Sequence, residues 1–325
     1  MENDQDPRGM NESPSRETES ADAASQPWEE GPSPLAAFNQ HRALLLSVAY
    51  RMLGSRADAE DMVQETFLRW RQASMKEVRD PRAFLVTVVT RLCLNHLESA
   101  RVKREQYFGQ WLPEPMLTGS AVGHLRLPGI DGSLSMAFLM LLERLTPLER
   151  AVFLLREVFD YEYAEVAAIA GQSEANCRQI LRRAKQHITE GRARFDASPE
   201  RQERLLRQFL ETTAHGDMQA MIALLAEDVV LYTDGGGKAT AMPNPIYGAD
   251  RVARFFIGGS EKFMPKDVVR RFAEINGQAG VVAYHLSRVF GVLTMDFVGG
   301  RIQNIYIVRN PDKLERMPDL PAAPY

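Results

Sequence analysis

Residues 145–188, LTPLERAVFLLREVFDYEYAEVAAIAGQSEANCRQILRRAKQHI, carry the clearest structural pattern of the chain. Thr146 and Glu149 stand at the cap and third positions of a helix, with proline between them at the first, which is a capping box. A second, short helix ends at Gly171, and Ser173 caps a third. Helices joined by a short glycine-containing turn predict a helix-turn-helix unit.

The third helix of this unit has an apolar face and a basic face. Apolar residues recur at helical spacing and predict the buried stripe, which comprises Cys177, Leu181, Ala184 and Ile188. The opposite side carries basic and amide side chains: Asn176, Arg178, Gln179, Arg182 and Lys185. Such side chains read base edges or hold phosphates when a helix enters the major groove. A solvated basic helix is the alternative, and the two preceding helices favour DNA binding.

The composition bounds the whole chain. Its 325 residues predict two or three domains, and the net charge of −4 with a pI of about 6.0 excludes a generally basic nucleic-acid binder. Two distant cysteines form no disulfide framework or metal pair, so we expect no metal site. The chain has no apolar run that could span a membrane and no secretory leader, which predicts a cytoplasmic location without membrane contact.

The sequence pattern changes several times along the chain and divides it into segments. Turn signals at Asn276-Gly277 and Gly299-Gly300 between strand-like runs predict an antiparallel curved sheet, so the last domain is α+β. The predicted boundaries are a disordered tail over 1–34, a helical domain over 35–108, a linker over 109–132, the helix-turn-helix domain over 133–197, the α+β domain over 198–310 and a C-terminal tail without a core pattern over 311–325.

The stretch DAEDMVQETFLRW at 58–70 predicts an acidic helix face. Asp58, Asp61 and Glu65 share one side of the helix, and no lysine or arginine occurs among residues 58–68. A basic partner surface would relieve the self-repulsion of such a face. The alternative is a solvated acidic helix.

The first domain also carries basic and amide residues close to aromatic ones. These are Arg91, Asn95, Arg101, Lys103 and Arg104, followed by Tyr107 and Phe108. Basic residues near aromatic rings can hold a nucleic-acid backbone and stack unpaired bases. The two aromatic residues could equally be packing residues.

Together these segments resemble a bacterial sigma factor of the extracytoplasmic-function (ECF) class, over about residues 35–195. The acidic helix is similar to the one that docks on the β′ coiled coil of RNA polymerase. DPRAFLVTVVTRLCLNHLESARVKRE, at 80–105, resembles the helices that open and read the −10 promoter element, and residues 145–188 resemble the domain that reads the −35 element.

The resemblance implies a role for each group of residues. Asp58, Asp61 and Glu65 would face the polymerase. Residues Arg91, Asn95, Arg101, Lys103 and Arg104 would lie near the −10 strand. Near the −35 duplex it implies Ser173, Glu174, Asn176, Arg178, Gln179, Arg182 and Lys185. The implied partners are core RNA polymerase, through its β′ and β subunits, and promoter DNA; no cofactor and no enzymatic activity are implied.

The residues after about 195 resemble the SnoaL-like fold, a cone-shaped sheet wrapped on helices that is related to ketosteroid isomerases and nuclear transport factors. The combination resembles a sigma subgroup with a fused SnoaL-like extension. Three short signatures carry this resemblance: WLPEP at 111–115, DGGGK at 234–238 and NPDKL at 310–314. The predicted fold class is therefore two all-α domains followed by an α+β cone-shaped barrel.

The glycines of DGGGK admit three interpretations. A phosphate loop requires GxxxxGK[ST], but Ala239 follows Lys238, so that interpretation is poor. A catalytic loop would use polar groups in the cone, for which Tyr232, Asp234, Tyr284 and His285 are the candidates, but the sequence defines no base and oxyanion donor. A contact loop fits best, because contiguous glycines permit close approach by a partner.

The resemblance implies that the extension docks on the linker and controls the spacing of the two sigma domains. We expect Trp111 to bury against the glycines, with Asp234 and Lys238 at the polar rim; an ordinary loop at the mouth of the cone is the alternative. The residues assigned to this regulatory contact are Trp111, Leu112, Pro113, Asp234, Gly235, Gly236, Gly237, Lys238, Asn310, Pro311 and Asp312. The extension would replace a separate anti-sigma protein, and its cone could hold a small molecule.

Two rival functions differ in what they require. A helix-turn-helix repressor with a ligand-binding C-terminal domain would bind promoter DNA without polymerase, and it leaves the acidic helix unexplained. An enzyme tethered to a DNA-binding module requires a defined acid–base pair in the cone.

Overall fold

The computed structural model describes residues 33–73, 78–105, 107–118, 134–189 and 198–319, without the side chains of 100–105 and 260–263. The predicted disordered tail therefore lies almost wholly outside the described residues. The helices are α1 Pro34–Leu53, α2 Arg56–Gln72, α3 Pro81–Glu105, α4 Met136–Leu142, α5 Pro147–Phe153, α6 Tyr163–Ala170, α7 Glu174–Thr189, α8 Pro199–His215, α9 Met218–Leu224, α10 Ala249–Phe263 and α11 Pro311–Leu314. The strands are β1 Leu225–Asp234, β2 Ile246–Tyr247, β3 Val269–Ile275, β4 Gln278–His285, β5 Arg288–Val298 and β6 Arg301–Val308.

Local signals in the sequence set the helix ends. Gly54 ends α1 in the left-handed conformation with φ 66°, and Gly171 ends α6 with φ 65°. The predicted capping box of Thr146 and Glu149 begins α5, which continues into a π-helical turn over Leu154–Val158. Helices α6 and α7 then form the helix-turn-helix pair, as predicted.

The first helical unit, α1–α3, and the second, α4–α7, share one hydrophobic core. Leu45, Val63 and Val89 belong to the same buried cluster as Val152 and Cys177. Cys177 is thus a core residue, as the helical stripe predicts. The two units therefore lie closed against each other.

A buried arginine crosses the contact between the two helical units. The Arg150 guanidinium donates to the Met52 carbonyl oxygen at 2.5 Å and pairs with Glu143 at 2.8 Å. Because Met52 lies near the end of α1 and Arg150 lies in α5, this bond fixes how the second unit sits on the first. The bond adds direction to an otherwise apolar contact.

The C-terminal domain, residues 198–319, is a six-stranded curved sheet packed on helices. The strand order is β2-β1-β6-β5-β4-β3, and every pairing is antiparallel except β1 with β6. The inner face packs on α8–α10 through residues such as Phe209, Leu231 and Met295. The outer face packs on Leu112 of the linker and Met136 of α4. One sheet therefore has two covered faces, the second of them covered by the rest of the chain.

One hairpin turn escapes the sequence pattern. Residues 279–298 read as one strand-like run, but β4 and β5 are separated at Leu286 and Ser287, whose φ values are 49° and 64°. No glycine marks this turn, so its left-handed backbone gives no sequence signal. The predicted turns at Asn276-Gly277 and Gly299-Gly300 are confirmed by positive φ at all four residues.

The predicted linker and the predicted C-terminal tail both contribute buried residues. In the linker, Leu112 and Met116 are buried; residues 119–133 lie outside the described part of the chain. In the predicted C-terminal tail, α11 forms and both Leu314 and Met317 are buried in the cluster on the outer sheet face. Neither segment has a periodic pattern of its own, because each buries single residues against a distant surface; the resemblance, in contrast, placed WLPEP and NPDKL at an interface.

None of the described helices combines the length and apolar character needed to cross a membrane.

Candidate functional sites

The acidic face of α2 is only partly engaged within the chain. Asp61 is exposed and forms no ion pair with the described residues. Glu65 pairs with Arg69 at 3.0 Å, and Asp58 lies 3.6 Å from the His96 ring nitrogen. The face is therefore accessible, with Asp61 as its most available carboxylate.

The −10 candidates lie along α3. Asn95 is exposed, whereas the Arg91 guanidinium donates to the carbonyl oxygens of Ala168 at 3.0 Å and Ile169 at 3.2 Å. These carbonyls lie at the end of α6, where the helix dipole favours a cation. Arg91 is thus engaged by the helix-turn-helix unit. The backbones of Arg101, Lys103 and Arg104 continue α3, and their side chains lie outside the described part.

The −35 candidates occupy the exposed side and the start of α7. Ser173 caps the helix by accepting from the Asn176 amide at 3.2 Å, and Asn176 also donates to Gln172 at 2.7 Å. The remaining candidates are exposed: Glu174, Arg178, Gln179, Arg182 and Lys185.

Two of the basic residues of α7 have partners on the surface of the second helical unit. Arg178 pairs with Glu174 and stacks 4.6 Å from the Tyr163 ring, and Lys185 pairs with Glu157. Exposed pairs of this kind contribute little to stability and exchange readily for other anions, so the surface is suited to phosphates.

The three signature segments meet at a buried carboxylate. Asp234, at the end of β1, is fully buried. One carboxylate oxygen accepts from the Leu112 backbone amide at 2.9 Å and the Lys313 ammonium at 2.7 Å. The other accepts from the Tyr107 hydroxyl at 2.6 Å and the Gly236 amide at 3.0 Å. We call the contact between residues 107–118 and the C-terminal domain the linker interface; Asp234 is its centre rather than its rim.

Asn310 packs closely behind this carboxylate. Its side-chain amide donates to the Tyr107 hydroxyl at 2.8 Å, and its backbone amide donates to the Asp234 carbonyl oxygen at 3.0 Å. A Cβ on Gly236 would lie 2.3 Å from the Asn310 side chain, and φ there is 58°. Glycine at this position is therefore required by close approach and by the backbone.

Lys238 and Asp312 form an exposed ion pair at 2.6 Å beside this network, which is the true polar rim of the linker interface. Pro311 opens α11 on the surface, and Pro113 is buried next to Leu112.

The position expected for Trp111 differs from the one in the structure. Its ring lies against Gly54, where an added Cβ would be 2.7 Å from the ring, and 4.2 Å from the Lys313 ammonium. The nearest neighbour of Gly237 is Phe108, and Leu112 is the fully buried residue of the segment. Leu112 thus packs on the sheet, whereas Trp111 packs on the first helical unit.

The polar groups proposed for a catalytic cone lie elsewhere. Tyr232 stacks on Tyr306 on the outer face, with ring centroids 5.4 Å apart, and Tyr284 belongs to the same outer cluster. His285 pairs with Asp267 at 3.2 Å. None of these residues, nor Asp234, lines the cavity on the inner face as the described residues define it. Tyr232 and Asp234 flank Thr233, and Tyr284 follows Ala283; because Thr233 and Ala283 line the cavity, residue alternation sends these three side chains to the opposite side of the sheet.

Comparison with known proteins identifies both helical units. The Sigma-70 region 2 model matches residues 37–102, and the Sigma-70, region 4 model matches residues 135–188. The ECF RNA polymerase sigma factor SigJ of Mycobacterium tuberculosis is 36% identical over 296 residues, which cover 88% of this chain and 94% of SigJ. The chain belongs to the ECF sigma factors.

Further similarities cover nearly the same length. The probable ECF sigma factor SigI of Mycobacterium tuberculosis is 32% identical over 282 residues, which cover 86% of this chain and 94% of SigI. The crystal structure of SigJ superposes with a TM-score of 0.72 at 32% identity and covers 86% of this chain and 98% of SigJ. The three-part architecture, two sigma domains followed by a SnoaL-like domain, is thus shared with this structure.

Sequence reasoning missed one side of the linker interface in this ECF sigma factor. Glu114 is buried, and its carboxylate accepts from the backbone amide of Arg56 at 2.8 Å and from Ser55 and Ala57 at 3.3 Å. The linker therefore caps the start of the acidic helix α2. Desolvation raises the pKa of Glu114, although these hydrogen bonds oppose it. The acid in WLPEP was a visible signal, but the helix that it caps lies 58 residues away.

A second missed feature bridges the sheet to α1. The Tyr50 hydroxyl donates to the Glu114 carbonyl oxygen at 2.5 Å and accepts from the Asn276 side chain at 2.7 Å. Asn276 also receives the Met116 amide at 2.9 Å, and the Thr118 amide donates to the Glu274 carbonyl oxygen at 3.0 Å. The linker thus runs beside the end of β3 and ties the first sigma domain to the C-terminal domain.

The outer sheet face of this sigma factor contains a second buried acid. Asp296 accepts from the Tyr306 hydroxyl at 2.7 Å, from Asn304 at 3.3 Å and from Gln278 at 3.4 Å. Burial nevertheless raises the pKa of Asp296 to about 6, although these three hydrogen bonds oppose the shift. Tyr306 belongs to the apolar cluster that contains Leu112, so this acid supports the linker interface from behind.

Proposed function

We propose that this chain is a promoter-specificity subunit of RNA polymerase whose C-terminal domain holds the two sigma domains closed. In this proposal the acidic face of α2 binds the β′ subunit, α3 captures the unpaired −10 strand and α7 reads the −35 duplex. The exposed Asp61 and the exposed basic residues of α7 support these assignments. Its place of action would be the cytoplasm, where the polymerase and the promoter are.

The closed arrangement is too compact for promoter recognition. The −10 and −35 elements are about 25 base pairs apart, or about 85 Å along a duplex. Here the helices assigned to them belong to units that share one core, and Arg91 of α3 is bonded to the end of α6 at 3.0 Å. Binding both elements therefore requires the two units to separate and Arg91 to leave α6.

The observation that carries the regulatory part is the buried Asp234 network. It fixes Leu112 of the linker to the C-terminal domain, while Glu114 two residues later caps α2 of the first sigma domain. On the other side, Met136 and Ala137 of α4 pack in the same outer cluster as Leu112. The domain thus grips the linker and both sigma domains, which is the hold that a separate anti-sigma protein would otherwise supply.

The third point of attachment lies in the segment predicted to be a tail. Arg316 follows α11 and forms an ion pair with Glu60 on α2. Glu60 lies one residue before Asp61, so the C-terminal domain touches the edge of the proposed polymerase-binding face. Polymerase binding to α2 and docking of the C-terminal domain would therefore compete at this edge.

Reconstituted transcription tests this proposal. Core polymerase would be supplied with the full chain, with Asp234→Ala or with Lys238→Ala, and run-off transcripts measured from the chain's own upstream region. We expect initiation only when the chain is added. At limiting protein, Asp234→Ala should give more transcript than the full chain, because opening costs less. Lys238→Ala, which removes only an exposed ion pair of the same loop, should match the full chain.

Two outcomes contradict the proposal in different ways. Equal transcript from Asp234→Ala and the unchanged chain would remove the regulatory role of the linker interface and keep the sigma function. No initiation with any form, together with tight binding of the full chain to duplex DNA alone, would favour a repressor.

A further inference from the structure

The inner face of the C-terminal sheet encloses a cavity that the sigma function does not use. Its volume is about 800 Å³, between the sheet and helices α8 and α10. The floor is apolar, formed by residues such as Phe209, Phe256, Val281 and Leu293. Cavities of several hundred Å³ with apolar walls are the usual form of small-molecule sites. The volume and the walls suit a ligand with a sizeable apolar body.

The charged residues of the cavity have one sign. Among the described residues that line it, Lys266, Arg270 and Arg309 are basic and none is acidic. Lys266 and Arg270 are exposed at the mouth, whereas Arg309 is half-buried. An apolar floor with cations at one side selects an amphipathic anion over a neutral or cationic molecule.

Arg309 presents an unused donor. Its guanidinium lies 4.1 Å from the Phe290 ring centroid, and one terminal nitrogen donates to the Thr240 carbonyl oxygen at 3.3 Å. Its Nε is buried and has no hydrogen-bond partner among the described residues. A buried donor left unpaired is unfavourable, so an acceptor that reached it would be favoured. Arginine binds carboxylates in this way, through Nε and a terminal nitrogen together.

The wall around Arg309 belongs to the same loop as the linker interface. Thr240, Ala241 and Met242 line the cavity, while Asp234, at the start of the preceding turn, accepts from the Leu112 amide of the linker. The Arg309 backbone amide also donates to the Asp234 carbonyl oxygen at 2.7 Å. A group bound to Arg309 would therefore act on the segment that carries Asp234.

We propose that the cavity binds an amphipathic carboxylic acid, with its carboxylate on Arg309 and its apolar body on the floor of Phe209 and Phe256. The carboxylate would use Nε and leave the bond from Arg309 to Thr240 in place. Occupancy would then hold loop 234–242 in its docked conformation. This last consequence rests on the proposed function; the binding itself does not.

Calorimetric titration of the full chain tests the site. The probes are decanoate and, at equal chain length, decyltrimethylammonium. We expect one decanoate site and at least tenfold weaker binding of the cation. Arg309→Gln should lower decanoate affinity at least tenfold. Arg301→Gln is the matched control, because Arg301 is an exposed arginine at the start of β6, the strand that Arg309 directly follows, and lies outside the described cavity lining, so affinity should stay unchanged.

A second variant protects the test against misfolding of the first. Thr213→Trp fills the cavity from α8 and keeps Arg309, and it should also abolish decanoate binding. Equal binding of both probes, no decanoate binding at millimolar concentration, or unchanged affinity in both variants would overturn the proposal. Because polymerase is absent from this titration, such a failure leaves the transcription result untouched.

Discussion

The contact between the two sigma domains and the linker interface hold the same chain closed with different kinds of residues. Between the sigma domains, the contact consists mainly of a shared apolar core with residues such as Leu45, Val89 and Val152. At the linker interface, the ion pair of the buried Asp234 and the largely buried Lys313 lies beside the apolar Leu112. One contact is mainly apolar and the other is organised around charge.

The two kinds of contact differ in how strictly they specify the arrangement of the chain. Apolar burial is non-directional and scales with area, so it favours many similar arrangements. A buried ion pair contributes little net stability against an apolar replacement, but losing one partner is costly because the other charge stays buried. The linker interface is therefore specific for one geometry, whereas the shared core contributes most of the apolar contact between the two sigma domains.

The largest effect is expected from removing the Asp234 carboxylate at the centre of the linker interface. Asp234→Ala leaves the largely buried Lys313 without its carboxylate and removes the acceptor of the Leu112 amide. We expect a loss of about 3–5 kcal/mol in the free energy of unfolding of the linker interface. Hydrogen exchange should show the Leu112 amide losing protection, while amides of α1 and α5 keep theirs.

A different pattern would erase the distinction between the two contacts. Equal loss of protection in the linker and in the shared core would mean that one cooperative unit unfolds, and no change at Leu112 would mean that Asp234 does not hold the linker.

The next effect is the pH dependence of stability that arises from the buried Asp296 behind the linker interface. The Asp296 pKa is about 6 in the folded chain and 3.8 as the ordinary value. Between these pH values the folded protein keeps a proton that the unfolded chain has released, so stability falls as pH rises. The contribution is complete below about pH 4 and lost through pH 6, and it amounts to about 3 kcal/mol.

Asp296→Asn should remove this pH dependence. Urea unfolding of both proteins at pH 4.5, 5.5 and 6.5 gives the difference in unfolding free energy between them, which isolates Asp296 from the other carboxylates. The stability of the unchanged chain relative to Asp296→Asn should fall by about 1 kcal/mol from pH 4.5 to 5.5 and by less from pH 5.5 to 6.5, where the folded carboxyl has lost most of its proton. A difference that stays constant with pH would show that the Asp296 pKa is not raised.

Some of these features could be predicted from the sequence and others could not. Helix ends at Gly54 and Gly171 and the capping box of Thr146 could be predicted because each signal is local. The predicted segments WLPEP, DGGGK and NPDKL do lie together, but their chemistry was assigned incorrectly. Asp234 was expected at a rim and is buried, because only the fold places Lys313 beside it.

Distance along the chain explains the remaining misses. Tyr50 and Asn276 are 226 residues apart and share one hydrogen bond, and neither has an unusual sequence context. Trp111 was expected on the glycines because an aromatic anchor and a glycine surface are complementary in general. The direction of one side chain depends on the backbone path of the linker across the fold, which residue type and spacing do not specify.

A smaller effect tests the bridge from α1 to the sheet. Tyr50→Phe removes one hydroxyl that bonds both the Glu114 carbonyl oxygen and the Asn276 side chain. We expect a loss of about 1–3 kcal/mol in the unfolding free energy, because the two partners stay buried. Tyr284→Phe is the control, since Tyr284 lies in the outer cluster and its hydroxyl makes no hydrogen bond with the described residues. Equal losses in the two variants would assign the effect to packing.

The smallest effect is expected from Lys238→Ala, which removes an exposed ion pair from the loop that also carries Asp234. Lys238 and Asp312 are paired at 2.6 Å, closer than many buried pairs, but both side chains are more than half exposed. Solvent screening should limit the pair to below about 1 kcal/mol, so Lys238→Ala should leave the unfolding free energy nearly unchanged. Urea unfolding beside Asp234→Ala measures both in one loop. If Lys238→Ala lowered the unfolding free energy as much as Asp234→Ala, burial would not be what distinguishes the carboxylates of Asp234 and Asp312. The stability of the linker interface would then depend on the whole loop.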